Sequence, residues 1–332
     1  MRVGIDARKI ADFGIGTYIR GLLGGLVALE TQDAFIAFAP AGAPIPEGVE
    51  HVIVDAPHYS IRELLVLGRA ADRASLDLFH APHYVVPFTR VPLVVTIHDL
   101  IHLHQPMRNP LAPLYARMML RRAVKQARCV LTVTEAVKAQ LETELGATNV
   151  LVTPNGVEPR RGTPRNSEEQ AFLYVGNDKP HKNVDALIDA LARVPEARLI
   201  LVGAPFERFR GSERIELRGF VSDDELSSLY RNALALVMPS REEGFGLPAL
   251  EAMAHGTAVI TSKDPALVEV TGDAALHVDA RDVDALVEAM LRIARDAELR
   301  AQLGANGVER ARNFTWKRCA ERTADAYRIA AR

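Results

Sequence analysis

Short apolar runs alternate with amphipathic stretches along this 332-residue chain, which is the pattern of parallel strands covered by helices. In the first half the apolar runs predict strands at Val3 to Ile5, Phe35 to Ala39, Val52 to Val54, Leu78 to His80, Leu93 to Thr96, Cys129 to Val133 and Val150 to Thr153. Helical periodicity predicts one helix near Thr17 to Leu29 and another near Leu114 to Arg128. Residues 158–170 then break the pattern, with two prolines and no large apolar side chain, and read as a linker.

Beyond that stretch the same grammar restarts. Strands are expected at Ala171 to Val175, Leu199 to Val202, near Leu217, at Ala233 to Met238, at Ala258 to Thr261 and near Leu276 to Val278. Ser222-Asp223-Asp224-Glu225 is a capping box for a helix reaching about Asn232, and residues 314–332 read as one helix. The expectation is an α/β protein of two doubly wound domains facing across a cleft: residues 1–160 completed by the helix 314–332, and residues 168–312. Ligands are expected at the carboxyl ends of the strands.

Composition narrows the function classes. Lys plus Arg number 40 against 42 Asp plus Glu, a net charge of -2, which gives no support to a nucleic-acid footprint. Cys129 and Cys319 have no metal-ligand spacing and predict free thiols in a reducing compartment. The opening residues contain no signal-peptide core and no apolar run is long enough to span a bilayer, so a cytoplasmic location is expected.

Candidate chemistry concentrates between Arg241 and Glu251, where two carboxylates flank a glycine turn and a helix start at Pro248. Gly244 and Gly246 allow close backbone approach, and the helix start directs amide dipoles at a phosphate. Glu251 is expected in the first helical turn and Glu243 in the loop before it. Such carboxylates suit sugar hydroxyls, and they also suit plain dipole complementarity. Gly176-Asn177-Asp178-Lys179-Pro180-His181-Lys182-Asn183 places a lysine, Lys182 in preference to Lys179, beside a helix that Asn183 would cap. Gly203 ends a strand, and Gly219-Phe220-Val221 precede the capped helix, where backbone groups can frame a base. Gly14 and Gly16 turn into a helix without the dinucleotide spacing. His98-Asp99 stands at a strand end, while His80, His83, His102 and His104 read as ordinary histidines rather than a metal set. Asp282-Val283-Asp284 reads as a helix cap.

Together these segments resemble the retaining glycosyltransferases of family 4, which have the GT-B fold. The resemblance spans nearly the whole chain and is carried by Gly14, Val95-Thr96-Ile97-His98-Asp99, Asn155-Gly156-Val157, Val175 to Asn183, Gly219 to Leu226, and above all Glu243 and Glu251 with seven residues between them. It implies hexose transfer from a nucleotide-sugar donor to a hydroxyl of a glycan or lipid-linked acceptor in polysaccharide biosynthesis, with retained configuration. No cofactor or metal is expected.

By that resemblance His98, Glu243 and Lys182 form the catalytic set. Glu243 holds the sugar with help from Gly244, Phe245, Gly246 and Leu247, while Glu251 takes the ribose. Lys182, with Gly176 and Asn177, faces the diphosphate together with Gly14, and Gly203 and Gly219 to Val221 frame the base. The neutral Asn177 departs from the arginine many members carry, with Arg8 or Arg241 as candidate replacements. GDP-mannose is favoured slightly over a UDP-sugar, and a non-enzymatic sugar-binding protein is the remoter alternative. Arg117, Arg121, Lys125 and Arg128 suggest either a solvated basic helix face or contact with an anionic membrane.

Overall fold

Strands buried on both faces need continuous apolar runs, and helices covering those faces need one apolar stripe each. The computed structural model, which describes residues 1–55, 61–105, 112–158 and 171–332, shows both built twice. The first unit comprises Met1–Gly156 with Phe314–Arg332, and the second Val157–Asn313.

In the first unit the elements run β1 (Arg2–Asp6), α1 (Ile15–Val27), β2 (Ala34–Ala39), β3 (Glu50–Ile53), α2 (Ile61–Arg73), β4 (Leu78–Ala81), β5 (Leu93–Thr96), α3 (Ile101–His104), α4 (Ala112–Gln126), β6 (Ala127–Thr132), α5 (Glu135–Leu145) and β7 (Val150–Val152). The sheet is parallel throughout, in the order β3-β2-β1-β4-β5-β6-β7.

In the second unit they run β8 (Ala171–Gly176), α6 (Val184–Ala192), β9 (Arg198–Gly203), β10 (Ile215–Gly219), α7 (Asp223–Asn232), β11 (Ala235–Met238), α8 (Leu247–Ala254), β12 (Ala258–Ser262), α9 (Pro265–Thr271), β13 (Leu276–Val278), α10 (Val283–Arg295) and α11 (Ala297–Ala311). Its parallel order is β10-β9-β8-β11-β12-β13. The order reverses direction between β1 and β4 in one sheet and between β8 and β11 in the other. Loops leaving the two strands of such a switch point diverge and open a crevice at their carboxyl ends.

The last helix, α12 (Trp316–Ala330), belongs to the first unit. Its Trp316, Ala320, Ala324 and Tyr327 pack with Tyr18, Leu22 and Leu23 of α1 on one face of that sheet. Leu67, Leu120, Val137 and Leu141 cover the other face.

Several boundaries differ from expectation for local reasons. Gly14, at φ 61°, admits Ile15 directly to α1, two residues before the expected Thr17. The helix expected to reach Arg128 stops at Gln126, because Ala127 and Cys129 pair with Leu93 and Val94 of β5. Arg128 therefore stands on β6 and not on the helix. Ser222 and Asp282 do cap their helices, accepting the amides of Glu225 at 3.2 Å and Ala285 at 2.9 Å. Residues 159–170 of the expected linker lie outside the described residues.

Candidate functional site

At the switch point of the second unit, two loops are sewn together before any charged group is placed. After β8, the Tyr174 hydroxyl donates to the Asn177 carbonyl at 2.8 Å, and the Asn177 side chain accepts the Lys179 amide at 3.2 Å. Pro180–Lys182 then forms a single 3-10 turn that ends on Asn183 at φ 57°. Asn183 was expected to cap α6 with its side chain. Instead its Nδ2 donates to the carbonyls of Pro239 (3.1 Å) and Ala280 (2.8 Å), tying the turn to the end of β11, while the Arg241 amide donates to the His181 carbonyl at 2.7 Å.

This stitching sets Lys182 and Glu243 face to face. Lys182 Nζ donates to Glu243 Oε1 at 2.6 Å, with the two side chains only 17% and 8% exposed. Attraction across so short a gap, with little water, exceeds that of a surface pair, although desolvation offsets part of it. Beside them, burial foremost and then the Lys182 charge push the His181 imidazole down to about 4, so it stays neutral at physiological pH.

The glutamate loop closes tightly onto α8. Gly246 precedes the helix at φ 87°, and a Cβ there would stand 2.4 Å from Leu267 Cδ2 of α9, so both the turn and the contact require glycine. Gly203 has a parallel reason: a Cβ would stand 1.9 Å from the Gly176 carbonyl oxygen across β8 and β9. Glu251 is not in the first turn of α8 but is its fifth residue, because the helix already begins at Leu247. Its Oε2 accepts the buried Tyr230 hydroxyl at 2.7 Å, and the Tyr230 ring stacks on His255 at 5.2 Å. Gly219 ends the edge strand β10, leaving the Phe220 side chain 62% exposed.

Sequence reasoning overlooked Asp264. Its carboxylate caps α9, accepting the amides of Ala266 (3.0 Å) and Leu267 (3.2 Å). Burial, joined by the Glu243 charge, pushes it up to about 6. The signal was present, since Asp followed by Pro is an N-cap with proline in the first turn.

In the first unit, His98 follows β5 with its Nε2–H donating to the Pro82 carbonyl at 3.2 Å and its ring edge-on to Tyr18 at 4.7 Å. That bond leaves the lone pair on Nδ1. Burial lowers the imidazole's affinity for a proton, against the opposing charge of Asp99. Gly14 stands at the start of α1, and a Cβ there would meet nothing within 4 Å, so its role is conformational. Arg8 is not available as a replacement cation: it is closed between Asp6 (2.7 Å) and Glu63 (2.9 Å), all three buried.

The remaining histidines disperse. His80 lies inside the unit between Tyr327 and Thr96, at 2.7 Å from each, and burial pushes it down to about 3. His83 stacks on Tyr84, and His104 pairs with Glu144 at 3.0 Å. Among the described residues no three His, Cys, Asp or Glu side chains are grouped to hold a metal ion. On α4, Leu114, Met118, Arg121 and Lys125 are exposed and Arg117 is half-buried. Among the described residues no helix is long and apolar enough to cross a membrane.

Comparison with known proteins gives the class and then the family. Sucrose-phosphate synthase from Thermosynechococcus elongatus aligns with a TM-score of 0.85 at 22% identity, covering 99% of this chain and 98% of that one, and the two parallel-sheet units have the GT-B fold. Residues 14–161 match the family described as Glycosyltransferase Family 4, and residues 158–310 match Glycosyl transferases group 1. The chain is 28% identical over 76% of its length to O-antigen chain mannosyltransferase B of Escherichia coli, covering 74% of that protein. It is 32% identical over 71% of its length to the MMP alpha-(1->4)-mannosyltransferase of Mycolicibacterium hassiacum, covering 65%. The chain belongs to this glycosyltransferase family.

Proposed function

We propose that the protein transfers a hexose, with GDP-mannose as the favoured donor, to a hydroxyl of a glycan or lipid-linked acceptor, retaining configuration and using no metal. The observation that carries this reading is the Lys182–Glu243 pair at the switch point of the second unit. A nucleotide sugar presents both things such a pair answers, a diphosphate for the cation and sugar hydroxyls for the carboxylate.

In this reading Lys182 takes the charge that develops on the departing diphosphate, with the amide-bearing start of α8 beside it. Glu243 holds sugar hydroxyls and is not the nucleophile, and Glu251, steadied by Tyr230, takes the ribose. Gly176, Asn177 and Gly203 line the phosphate and base side of the donor, and Gly219 to Val221 frame the base. In the first unit, the turn at Gly14 suits the start of α1 to a phosphate. His98, neutral and with its lone pair on Nδ1, accepts a hydrogen bond from a donor-sugar hydroxyl. The sugar itself is argued from the two relatives named as mannosyltransferases. The exposed Leu114, Met118, Arg121 and Lys125 suit the anionic inner leaflet of a membrane, where a lipid-linked acceptor would lie.

A thermal-shift panel of GDP-mannose, UDP-glucose, UDP-galactose and the free nucleotides tests the reading. Saturation near 100 times the dissociation constant stabilises by roughly 2.7 kcal/mol, so GDP-mannose should give the largest shift. Stabilisation by a UDP-sugar alone would move the donor assignment, and a flat panel would sink the reading. Failure to float with anionic vesicles would remove the membrane contact.

A further inference from the structure

Helix α7 starts on the Ser222 cap, directly after Gly219-Phe220-Val221, and carries Tyr230 in its last turn. Tyr230 is 1% exposed, too deep to touch a ligand, yet its hydroxyl donates to Glu251 Oε2 at 2.7 Å. The turn that follows α8 holds both partners. His255 stacks on the Tyr230 ring at 5.2 Å and its Nδ1–H donates to the Glu251 carbonyl at 2.7 Å, while Thr257 Oγ1 donates to the Tyr230 carbonyl at 2.6 Å. Ring, hydroxyl and carboxylate are thus set by the chain itself.

Packing α7 on α8 does not call for a phenol. Phenylalanine would fill nearly the same space without bringing into the interior an O–H that needs a partner. What the hydroxyl adds is direction: it takes one of the roughly four acceptor sites of a carboxylate and fixes the plane in which the rest lie. Burial, and then the Glu251 charge, strengthen the phenol's hold on its proton, so it stays the donor.

We propose that Tyr230 is a positioning residue for the nucleoside half of the donor: its hydroxyl fixes the Glu251 carboxylate for the ribose hydroxyls, so that preference for a ribonucleotide runs through this phenol. This rests on the donor reading given above, in which Glu251 takes the ribose. Tyr230 touches no substrate and acts through Glu251.

The full chain and its Tyr230→Phe variant are compared for thermal unfolding, for donor kcat and KM, and for calorimetric affinity toward GDP, UDP and the dideoxyribose analogue of each, which lacks both ribose hydroxyls. Where loss of the oxygen unsettles the core, para-fluorophenylalanine at position 230 fills its space without a donor and gives the same readout.

The proposal expects wild type to favour the better ribonucleotide over its analogue by roughly tenfold or more. Tyr230→Phe should cut that preference by about fivefold to tenfold through weaker ribonucleotide binding, with analogue affinity unchanged and donor KM raised by the same factor. The value of kcat should hardly move. Equal weakening of both nucleotides would make Tyr230 a packing residue, and an unchanged preference would mean that Glu251 is placed without it; either result overturns the proposal. A wild type that binds ribonucleotides and their analogues alike would remove the ribose role of Glu251 and the proposal with it. Binding of no nucleotide at all would sink the donor reading itself, on which the proposal stands.

Discussion

At the switch point of the second unit, a cation and an anion from two loops meet as partners with little water around them, Lys182 on Glu243. At the corresponding reversal of the first unit, Arg8 is closed between Asp6 and Glu63, and His80 of β4 is sealed between Tyr327 and Thr96. Both units thus spend polar residues on their strand ends. In the first the polar atoms are turned inward and hold the sheet to its helices, with Tyr18 bonded to Thr96 at 2.9 Å and pressed edge-on to His98. In the second the charges oppose each other across a loop junction, where a ligand with anionic and hydroxyl groups can take either partner. A charged or polar strand end is therefore not a site until its partners are counted.

Three substitutions sharpen or break this contrast. The largest effect is expected for Glu243→Ala, which should lower transfer on the order of 10²–10³-fold while nucleoside diphosphate binding persists. Turnover near the wild-type rate in a donor assay would erase the distinction between the units.

Next is Tyr327→Phe, which strips a buried partner from His80. Leaving a buried polar group unpaired costs about 1–3 kcal/mol, so chemical denaturation should show that loss with donor KM unchanged. A donor KM that moved with stability would mean that the inward network also serves ligand binding.

The smallest effect concerns acid. Asp264 binds its proton more tightly folded than unfolded, near 6 against the ordinary 3.8. Its favourable contribution is therefore present below about pH 4 and is lost as pH rises through 6. Relative to Asp264→Asn, which cannot titrate, wild type should lose on the order of 1–2 kcal/mol between those limits, a figure reduced for residual solvent screening. Parallel stability curves for the two proteins would show that Asp264 carries no such penalty.

Much of the architecture was legible because strands buried on both faces cannot hide their composition. Val94-Val95-Thr96 and Leu236-Val237-Met238 are uninterrupted, so they read as strands without help from tertiary contacts. The helix start between the two glutamates was legible for a local reason too, a glycine turn feeding a proline-led helix. What escaped depended on partners distant in sequence. Arg128 joined a strand because β5 offered Ala127 and Cys129 a place to pair. Asn183 abandoned its cap for the carbonyls of Pro239 and Ala280, 56 and 97 positions away.

The placement of α12 has a consequence for how the chain is made. Residues 316–330 complete a face of the first unit, yet they leave the ribosome after every residue of the second. Through most of synthesis the apolar side of α1 around Tyr18, Leu22 and Leu23 waits without its cover, while the second unit has all its own parts by residue 313. Domains generally fold in order of emergence. Here the unit that begins first is finished last, and a stop codon just before residue 314 would injure the beginning of the protein rather than its end.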